Sequence, residues 1–140
     1  MFELVSHHHI ISFGSKTRRE FIDITSQVSE IVRMSAVKEG LCVISAPHAT
    51  AAILVNENER GLLEDMLTKI EELFPSSARY LHNSIDDNAD AHLAAVFIGH
   101  SKTFPISEKK LIRGMWQNIF FAELDGPRHR REVHVQILGQ

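Results

Sequence analysis

Apolar residues recur every three or four positions in three segments of the chain, which is the spacing of one face of an α-helix. These segments are 24–36, a stretch that begins near Asn58, and Ala89–Ile98. Capping and stop residues mark their ends. Asp23 or Thr25 can cap the start of the first segment, and Gly40 follows its end. Pro75 follows the second segment, and Asn88 and Gly99 flank the third. The pattern therefore predicts three helices.

Short apolar or alternating runs occupy much of the remaining chain and indicate β-strands. They are 7–13, 41–44, 50–55, 102–106, 118–124 and 131–138. Asp125-Gly126-Pro127 is turn-forming sequence, so the last two runs are predicted to pair as a hairpin. Strands and helices alternate without a regular βα rhythm. We therefore expect one α+β domain over residues 1–140, with a mixed or mostly antiparallel sheet.

The composition excludes several classes of function. A net charge of −3 gives no general attraction to nucleic acid or to anionic lipid. No apolar run approaches the eighteen or so residues of a membrane helix, and residues 1–6 lack the basic start and apolar core of a signal peptide. Cys42 is the single cysteine, so no internal disulfide can form. A reducing, cytoplasmic setting is the simplest expectation.

Three histidines each interrupt an apolar segment with a short polar one. His48 follows the apolar run 41–44, and His82 and His92 bracket an acidic stretch. If their loops converge, three imidazole nitrogens frame one point, as in catalytic zinc sites that leave a fourth position open. Asp86 or Asp87 would then bind the metal or orient an imidazole. The alternative is three unrelated surface or capping histidines.

Glu123 lies on a predicted strand, on the same face as the apolar residues Ile119 and Phe121. An apolar environment raises the pKa of a carboxyl group toward the range that suits acid–base catalysis. The alternative is a cross-strand ion pair with Arg130 or Arg131 at the sheet surface. Both interpretations remain open from the sequence.

A basic run near the predicted turn is a candidate for binding phosphate. Arg128 is the residue closest to that turn, and a guanidinium grips phosphate oxygens through two parallel hydrogen bonds. Ser101 follows a helix end and would add a hydroxyl donor. Asn56 is close enough in sequence to reach a site near His48, although solubilising and capping roles would also explain these residues.

Three stretches carry a resemblance to a known family. They are His48-Ala49-Thr50 through Asn56-Glu57, Tyr80-Leu81-His82 through Asp87-Asn88-Ala89-Asp90-Ala91-His92, and Gly114-Met115-Trp116-Gln117 through Glu123-Leu124-Asp125-Gly126-Pro127-Arg128. In this order they resemble the YjbQ-like family, small bacterial and archaeal proteins that often carry the label secondary thiamine-phosphate synthase. The resemblance extends over nearly the whole chain.

The resemblance implies an α+β fold, a homotrimer, and a histidine-containing pocket near a subunit boundary. It places His48, His82, His92 and Glu123 in the shared site, with Asp87, Trp116 and Gln117 beside it. The chain departs from the family where Ala49 replaces a hydroxyl residue, which leaves Thr50 as the hydroxyl beside His48. Met115 also replaces a threonine, so the departures concern substrate specificity more than the existence of the site.

The leading hypothesis is an enzyme that acts on a small phosphorylated metabolite. The resemblance suggests thiamine-phosphate synthesis, in which a pyrimidine pyrophosphate joins a thiazole phosphate and pyrophosphate leaves. A divalent cation, zinc or magnesium, would assist, although magnesium prefers oxygen ligands and three imidazoles favour zinc. The alternatives are a metal-dependent hydrolase and an oligomer that binds a metal or metabolite without turnover. No nucleic-acid or membrane partner is expected.

Overall fold

The computed structural model describes residues 3–140, so Met1 and Phe2, on which the prediction of no signal peptide partly rests, lie outside the described residues. Twelve elements follow one another along this part of the chain: β1 (Val5–Phe13), β2 (Glu20–Asp23), α1 (Thr25–Ser35), β3 (Gly40–Ser45), β4 (Ala51–Asn56), α2 (Arg60–Leu73), a 3-10 turn (Leu81–Ser84), α3 (Ala89–Ile98), β5 (Ser101–Ser107), β6 (Lys110–Leu111), β7 (Asn118–Glu123) and β8 (Arg131–Gly139). The α+β class and the three predicted helices are confirmed.

The strands form two sheets, and every strand pairing among residues 3–140 is antiparallel. Sheet A has the order β1-β8-β3-β5-β6, and sheet B has the order β2-β7-β4. The prediction of mostly antiparallel pairing is confirmed, but the strands form two sheets where one was predicted. β2 and β6 were not predicted, because four residues and two residues are too short to show alternation.

The main core lies between the two sheets, with α1 packed into it. Val28 and Val32 of α1, with Ile24 just before it, are buried against the inner face of sheet A and one face of sheet B. Each fully buried isoleucine or phenylalanine in such a core contributes roughly 1.5–3 kcal/mol through the hydrophobic effect. This core fixes the relative positions of the two sheets.

A second, smaller core joins the other face of sheet B to α2 and α3. Ala91 and Ala94 of α3 are fully buried and, with Ala95, pack on Ala52 and Ala122 of sheet B. Methyl-sized side chains let the α3 backbone approach the sheet closely. Because the opposite face of α3 is also apolar, the helix is apolar nearly all round, a pattern typical of a helix covered on both sides.

The predicted hairpin between the last two strands is wrong. β7 pairs with β2 and β4 in sheet B, whereas β8 pairs with β1 and β3 in sheet A. Their connecting loop, residues 124–130, crosses from one sheet to the other. It runs beside the β1–β2 connection, which makes the same crossing: the Ser15 amide donates to the Arg128 carbonyl, and the Gly126 amide donates to the Arg18 carbonyl, both at 2.9 Å.

Asn88 and Gly99 occupy the predicted ends of α3, but the side chains that make the capping hydrogen bonds of α2 and α3 differ from the predicted ones. α2 starts after Glu59, whose carboxylate accepts hydrogen bonds from the amides of Gly61 and Leu62. The Asn88 side chain makes no capping bond at the start of α3; Asn83 accepts the Ala89 amide hydrogen instead, at 3.1 Å. No helix within residues 3–140 is long and apolar enough to span a bilayer.

Candidate functional site

A cavity of about 430 Å³ holds two of the three predicted histidines. The 3-10 turn carries His82 and the first half of α3 carries His92, and their ring centroids lie 4.8 Å apart in an edge-to-face arrangement. The residues lining the cavity are Tyr80, Leu81, His82, Ala89, His92 and Leu93. The walls are therefore largely apolar, with two imidazoles as the polar groups, which is the usual composition of a small-molecule site.

His92 also borders a second cavity, of about 230 Å³, on its other side. This cavity contains His48, from the β3–β4 loop, and His100, which follows α3. His48 and His82 thus each share a cavity with His92, but they do not share one with each other. The three predicted histidines line adjoining cavities and do not surround a single point.

The His48 ring is already engaged by the backbone. His48 Nε2 lies 3.0 Å from the Glu132 amide nitrogen and 3.2 Å from the Glu132 carbonyl oxygen, so the Glu132 backbone engages Nε2 in either tautomer of the ring. Desolvation and the nearby positive charge of Arg131 hold the pKa of His48 below its ordinary value. Nε2 of His48 is therefore already engaged by the backbone and is not free to bind a metal ion.

The predicted metal site is not formed by these residues. Among residues 3–140 no group of three or more histidine, cysteine, aspartate or glutamate side chains lies close enough to hold an ion. Asp87, predicted as a fourth ligand, is exposed in the loop before α3. Asp86 accepts a hydrogen bond from the Asp87 amide, which lowers the pKa of Asp86. The donor set within residues 3–140 therefore does not fit a zinc or magnesium ion.

Glu123 is fully buried in an ion pair and lines neither histidine cavity. Arg131 contacts both of its carboxylate oxygens, at 2.5 and 2.9 Å, and the Ser15 hydroxyl donates to Oε1 at 2.5 Å. Burial alone would raise the pKa of Glu123, but the hydrogen bonds and charge of Arg131, with the Ser15 bond, outweigh it and lower that pKa. The predicted raised pKa is wrong. The alternative, a pair with Arg131, is confirmed, although it is buried and joins the two sheets.

Thr50 belongs to the same buried pair. Its hydroxyl accepts a hydrogen bond from Arg131 Nη2 at 3.1 Å, and its carbonyl accepts another at 3.3 Å. The side chain is buried and does not line the cavity beside His48. The prediction that Thr50 contacts substrate is therefore replaced by a structural role, because the guanidinium between the sheets needs an acceptor.

Asn56, Trp116 and Gln117 lie at the opposite end of sheet B from the histidines. Asn56 pairs with Asn118 at the far end of β4, whereas His48 precedes the near end, about 17 Å away along five strand residues. Trp116 is exposed, and Gln117 accepts the Gly114 amide hydrogen at 2.7 Å. Within one chain these three predicted substrate-binding residues do not join the histidines.

Arg128 lies in the crossing loop and remains half exposed. Its guanidinium donates to the carboxylate and to the carbonyl of Asp125, at 2.8 and 3.0 Å, which holds it in place. Arg128 also borders a small cavity with Ser15, Pro127 and His129. Ser101, at the start of β5, lines neither histidine cavity, although the neighbouring His100 lines the smaller one.

A buried polar network connects the larger cavity to the arginines, and the sequence did not indicate it. The Asn88 amide contacts His82 Nε2 through Oδ1 at 3.0 Å and donates from Nδ2 to Asp125 at 2.8 Å. Arg18 bridges Asp125 and Asp90, at 3.3 and 3.1 Å. Asp90, in the first turn of α3, is fully buried between Arg18 and Arg19.

Comparison with known proteins identifies the family. The family model for UPF0047 protein YjbQ-like matches residues 9–140. A UPF0047 protein of Methanothermobacter thermautotrophicus is 47% identical over 88% of this chain and 85% of its own length, and YugU of Bacillus subtilis is 34% identical over 87% and 92%.

Solved structures agree with the sequence relatives. A YbjQ-like protein of unknown function from Sulfolobus solfataricus P2 superimposes with a TM-score of 0.97 at 50% identity, covering 99% of this chain and all of that one. A hypothetical protein from Aeropyrum pernix K1 gives 0.92 at 37% identity, over 96% and 99%. Both the family match and these similarities extend over nearly the whole chain, which therefore belongs to the YjbQ-like UPF0047 family.

Proposed function

We propose that the chain is an enzyme that acts on a small phosphorylated metabolite, held in the cavity between His82 and His92. The observation that carries this proposal is the hydrogen-bonded connection from His82 through Asn88 and Asp125 to Arg128. This connection links two groups: the His82 imidazole, which can accept or donate a proton, and the half-exposed Arg128 guanidinium, which can bind an anion. A catalytic base beside an anion anchor is the arrangement that phosphorylated substrates require.

The dimensions of this arrangement suit a small substrate. The contacts along the connection measure 3.0, 2.8 and 2.8 Å, and Arg128 borders its own small cavity, so the substrate would extend from the histidine cavity toward Arg128. The apolar walls at Leu81 and Leu93 favour a substrate with a ring or hydrocarbon portion. Arg18 is also half exposed and contacts the same carboxylate, so a second guanidinium lies beside the first.

Within this class we propose thiamine-phosphate synthesis as the reaction to test first, because the family resemblance implies it. The ring nitrogen of a thiazole phosphate forms a bond to the methylene carbon of a pyrimidine pyrophosphate, and the bond to the departing pyrophosphate breaks. Arg128 would hold departing phosphate oxygens, since a guanidinium binds two of them at once. His82 and His92 would contact the heterocycle that the apolar walls enclose.

The test is an assay of the purified full-length protein with the two phosphorylated precursors, followed by detection of thiamine phosphate. Arg128→Ala should lower kcat/KM by ~100-fold, the usual effect of removing one donor to developing negative charge. Arg130→Ala is the matched control, because Arg130 is more exposed and pairs with Glu132 outside the network. A wild-type chain without turnover on these precursors or on a panel of other phosphate esters would leave only a binding role.

We also propose that the chain assembles as a homotrimer, as the family resemblance implies, and that α3 forms the subunit contact. Val96 and Phe97 expose 76% and 77% of their surface, and Leu93 adjoins them on the same helix. Val96 and Leu93 each line one of the two histidine cavities, so a neighbouring copy on this helix would border both. Light scattering should give three times the 15.9 kDa chain mass for the wild type and a smaller species for Phe97→Asp. A monomeric wild type refutes this assembly.

A further inference from the structure

The hydrogen-bond partners of His82 determine which of its ring nitrogens is free. Asp125 Oδ2 lies 2.8 Å from the Asn88 amide, and a carboxylate oxygen only accepts hydrogen bonds. The atom of Asn88 that faces Asp125 must therefore be the nitrogen Nδ2. This fixes the orientation of the amide group, so that its oxygen Oδ1 faces His82 Nε2 at 3.0 Å.

An amide oxygen also only accepts, so His82 Nε2 must carry a hydrogen. A neutral imidazole has a single N–H, and Nδ1 of His82 is then left with the lone pair. No other side-chain hydrogen bond of the His82 ring occurs within residues 3–140. We propose that Asp125 and Asn88 are positioning residues, which hold His82 in the Nε2–H form and present Nδ1 as the proton acceptor of the cavity.

The far end of this chain of contacts is rigidly held. Asn88 and Asp125 expose only 6% and 8% of their surface. Asp125 is anchored on both oxygens, by Arg128 at 2.8 Å on one and Arg18 at 3.3 Å on the other. Because the arginines come from two separate segments, a rotation of the carboxylate would break ion pairs in both. The orientation of Asn88 is therefore set by groups outside the cavity.

His82 and His48 are held by different partners. His82 Nε2 donates to the Asn88 side chain, whereas His48 Nε2 contacts the amide and the carbonyl of Glu132. His92 borders both cavities. The role of His82 Nδ1 as the catalytic proton acceptor rests on the proposed function, whereas the Nε2–H tautomer of His82 does not.

The tautomer of His82 is measured by nitrogen-15 NMR of the full-length protein. The pH is set about two units above the ordinary histidine pKa of 6.5, where imidazoles are neutral. We expect His82, assigned by loss of its signals in His82→Ala, to show a proton on Nε2 that exchanges slowly with water. Asn88→Ala should abolish the slow exchange. Asn83→Ala is the matched control, since it removes a bond at the same helix start without touching His82.

Two results would overturn the inference. A wild-type spectrum with the proton on Nδ1 refutes it without any variant, even if Asn88→Ala does not fold. Unchanged slow exchange of Nε2–H in a folded Asn88→Ala protein also refutes it. Where turnover is detected, Asn88→Ala should lower kcat by 10- to 100-fold with little change in KM, as loss of an orienting partner does. Absence of turnover would refute the proposed function and leave the NMR result standing.

Discussion

The buried pair of Glu123 and Arg131 allows the sharpest test of how the two sheets are held together. Their side chains are 0% and 6% exposed, and Thr50 and Ser15 satisfy the remaining donors and acceptors. Removing one member leaves an uncompensated charge between the sheets. Arg131→Met should therefore lower the free energy of unfolding by about 3–5 kcal/mol, the usual loss when a buried pair is broken.

This loss is a large fraction of the stability expected for a domain of this size, about 5–15 kcal/mol. At an m value of about 2 kcal/mol per molar, the urea midpoint should fall by about 1.5–2.5 M. Replacing both residues, as in Glu123→Leu with Arg131→Met, should restore most of the loss, because an apolar pair of similar volume needs no desolvated charge. The protein concentration is held constant, since assembly would shift the midpoint.

Urea unfolding of the wild type, both single variants and the double variant gives the coupling between the two residues. Arg33→Met is the control: Arg33 pairs with Glu30 on the exposed surface of α1, where solvent screens the ion pair and its loss should change the stability little. The reasoning fails if Arg131→Met costs less than about 1 kcal/mol, or if the double variant loses the sum of the single losses.

The pH dependence of stability follows from the same pair. Because the pKa of Glu123 is lowered in the folded protein, its ionised form stabilises the fold above the ordinary glutamate pKa of 4.5. That contribution is lost as the pH falls from 4.5 through the lowered value. The difference in the free energy of unfolding between the wild type and Glu123→Gln, measured in urea at each pH, should therefore become smaller over this range. A difference that stays constant with pH would show that the pKa of Glu123 is the same in the folded and unfolded protein.

Three further predictions concern other buried groups. Burial raises the pKa of the Cys42 thiol to about 12, so iodoacetamide at pH 8 should leave it unmodified until the protein is denatured. Asp90→Asn should lower the free energy of unfolding by about 3 kcal/mol in urea, because two arginines lose a fully buried partner. Gly126→Ala should lower the melting temperature measured by circular dichroism, since a Cβ there would lie 2.1 Å from the Thr17 carbonyl oxygen; an unchanged melting temperature would show that the crossing loop adjusts.

The helices could be predicted from the sequence because their signals are local. The segments predicted from 24, from near 58 and from 89 correspond to α1, α2 and α3, since periodicity and stop residues act within a few positions of one another. The caps were less predictable. Asparagine is a common N-cap residue, but the side chain of Asn88 is held by contacts with His82 and Asp125. The local sequence pattern does not predict these contacts.

The candidate site was predictable in its residue types more than in its geometry. His82 and His92 do share a cavity, whereas Arg128 borders another one and is linked to His82 through Asn88 and Asp125. Sequence spacing could not show whether His48 joins the other two histidines. The β3–β4 loop in fact brings the His48 ring to the Glu132 backbone on sheet A. Sequence spacing limits which loops can lie close together, and the packing of the two sheets determines which of them do.

The error about the last two strands explains how the site is built. Had β7 and β8 formed a hairpin, residues 124–130 would have made a turn at one sheet edge. Because the strands belong to different sheets, the segment crosses between them, and the Glu123–Arg131 pair closes both of its ends. The Asp125 amide donates to the Glu123 carboxylate at 3.2 Å, which places the Asp125 side chain against Asn88. Glu123 therefore helps to hold Asp125 against Asn88, the residue that contacts His82, without lining the histidine cavity itself.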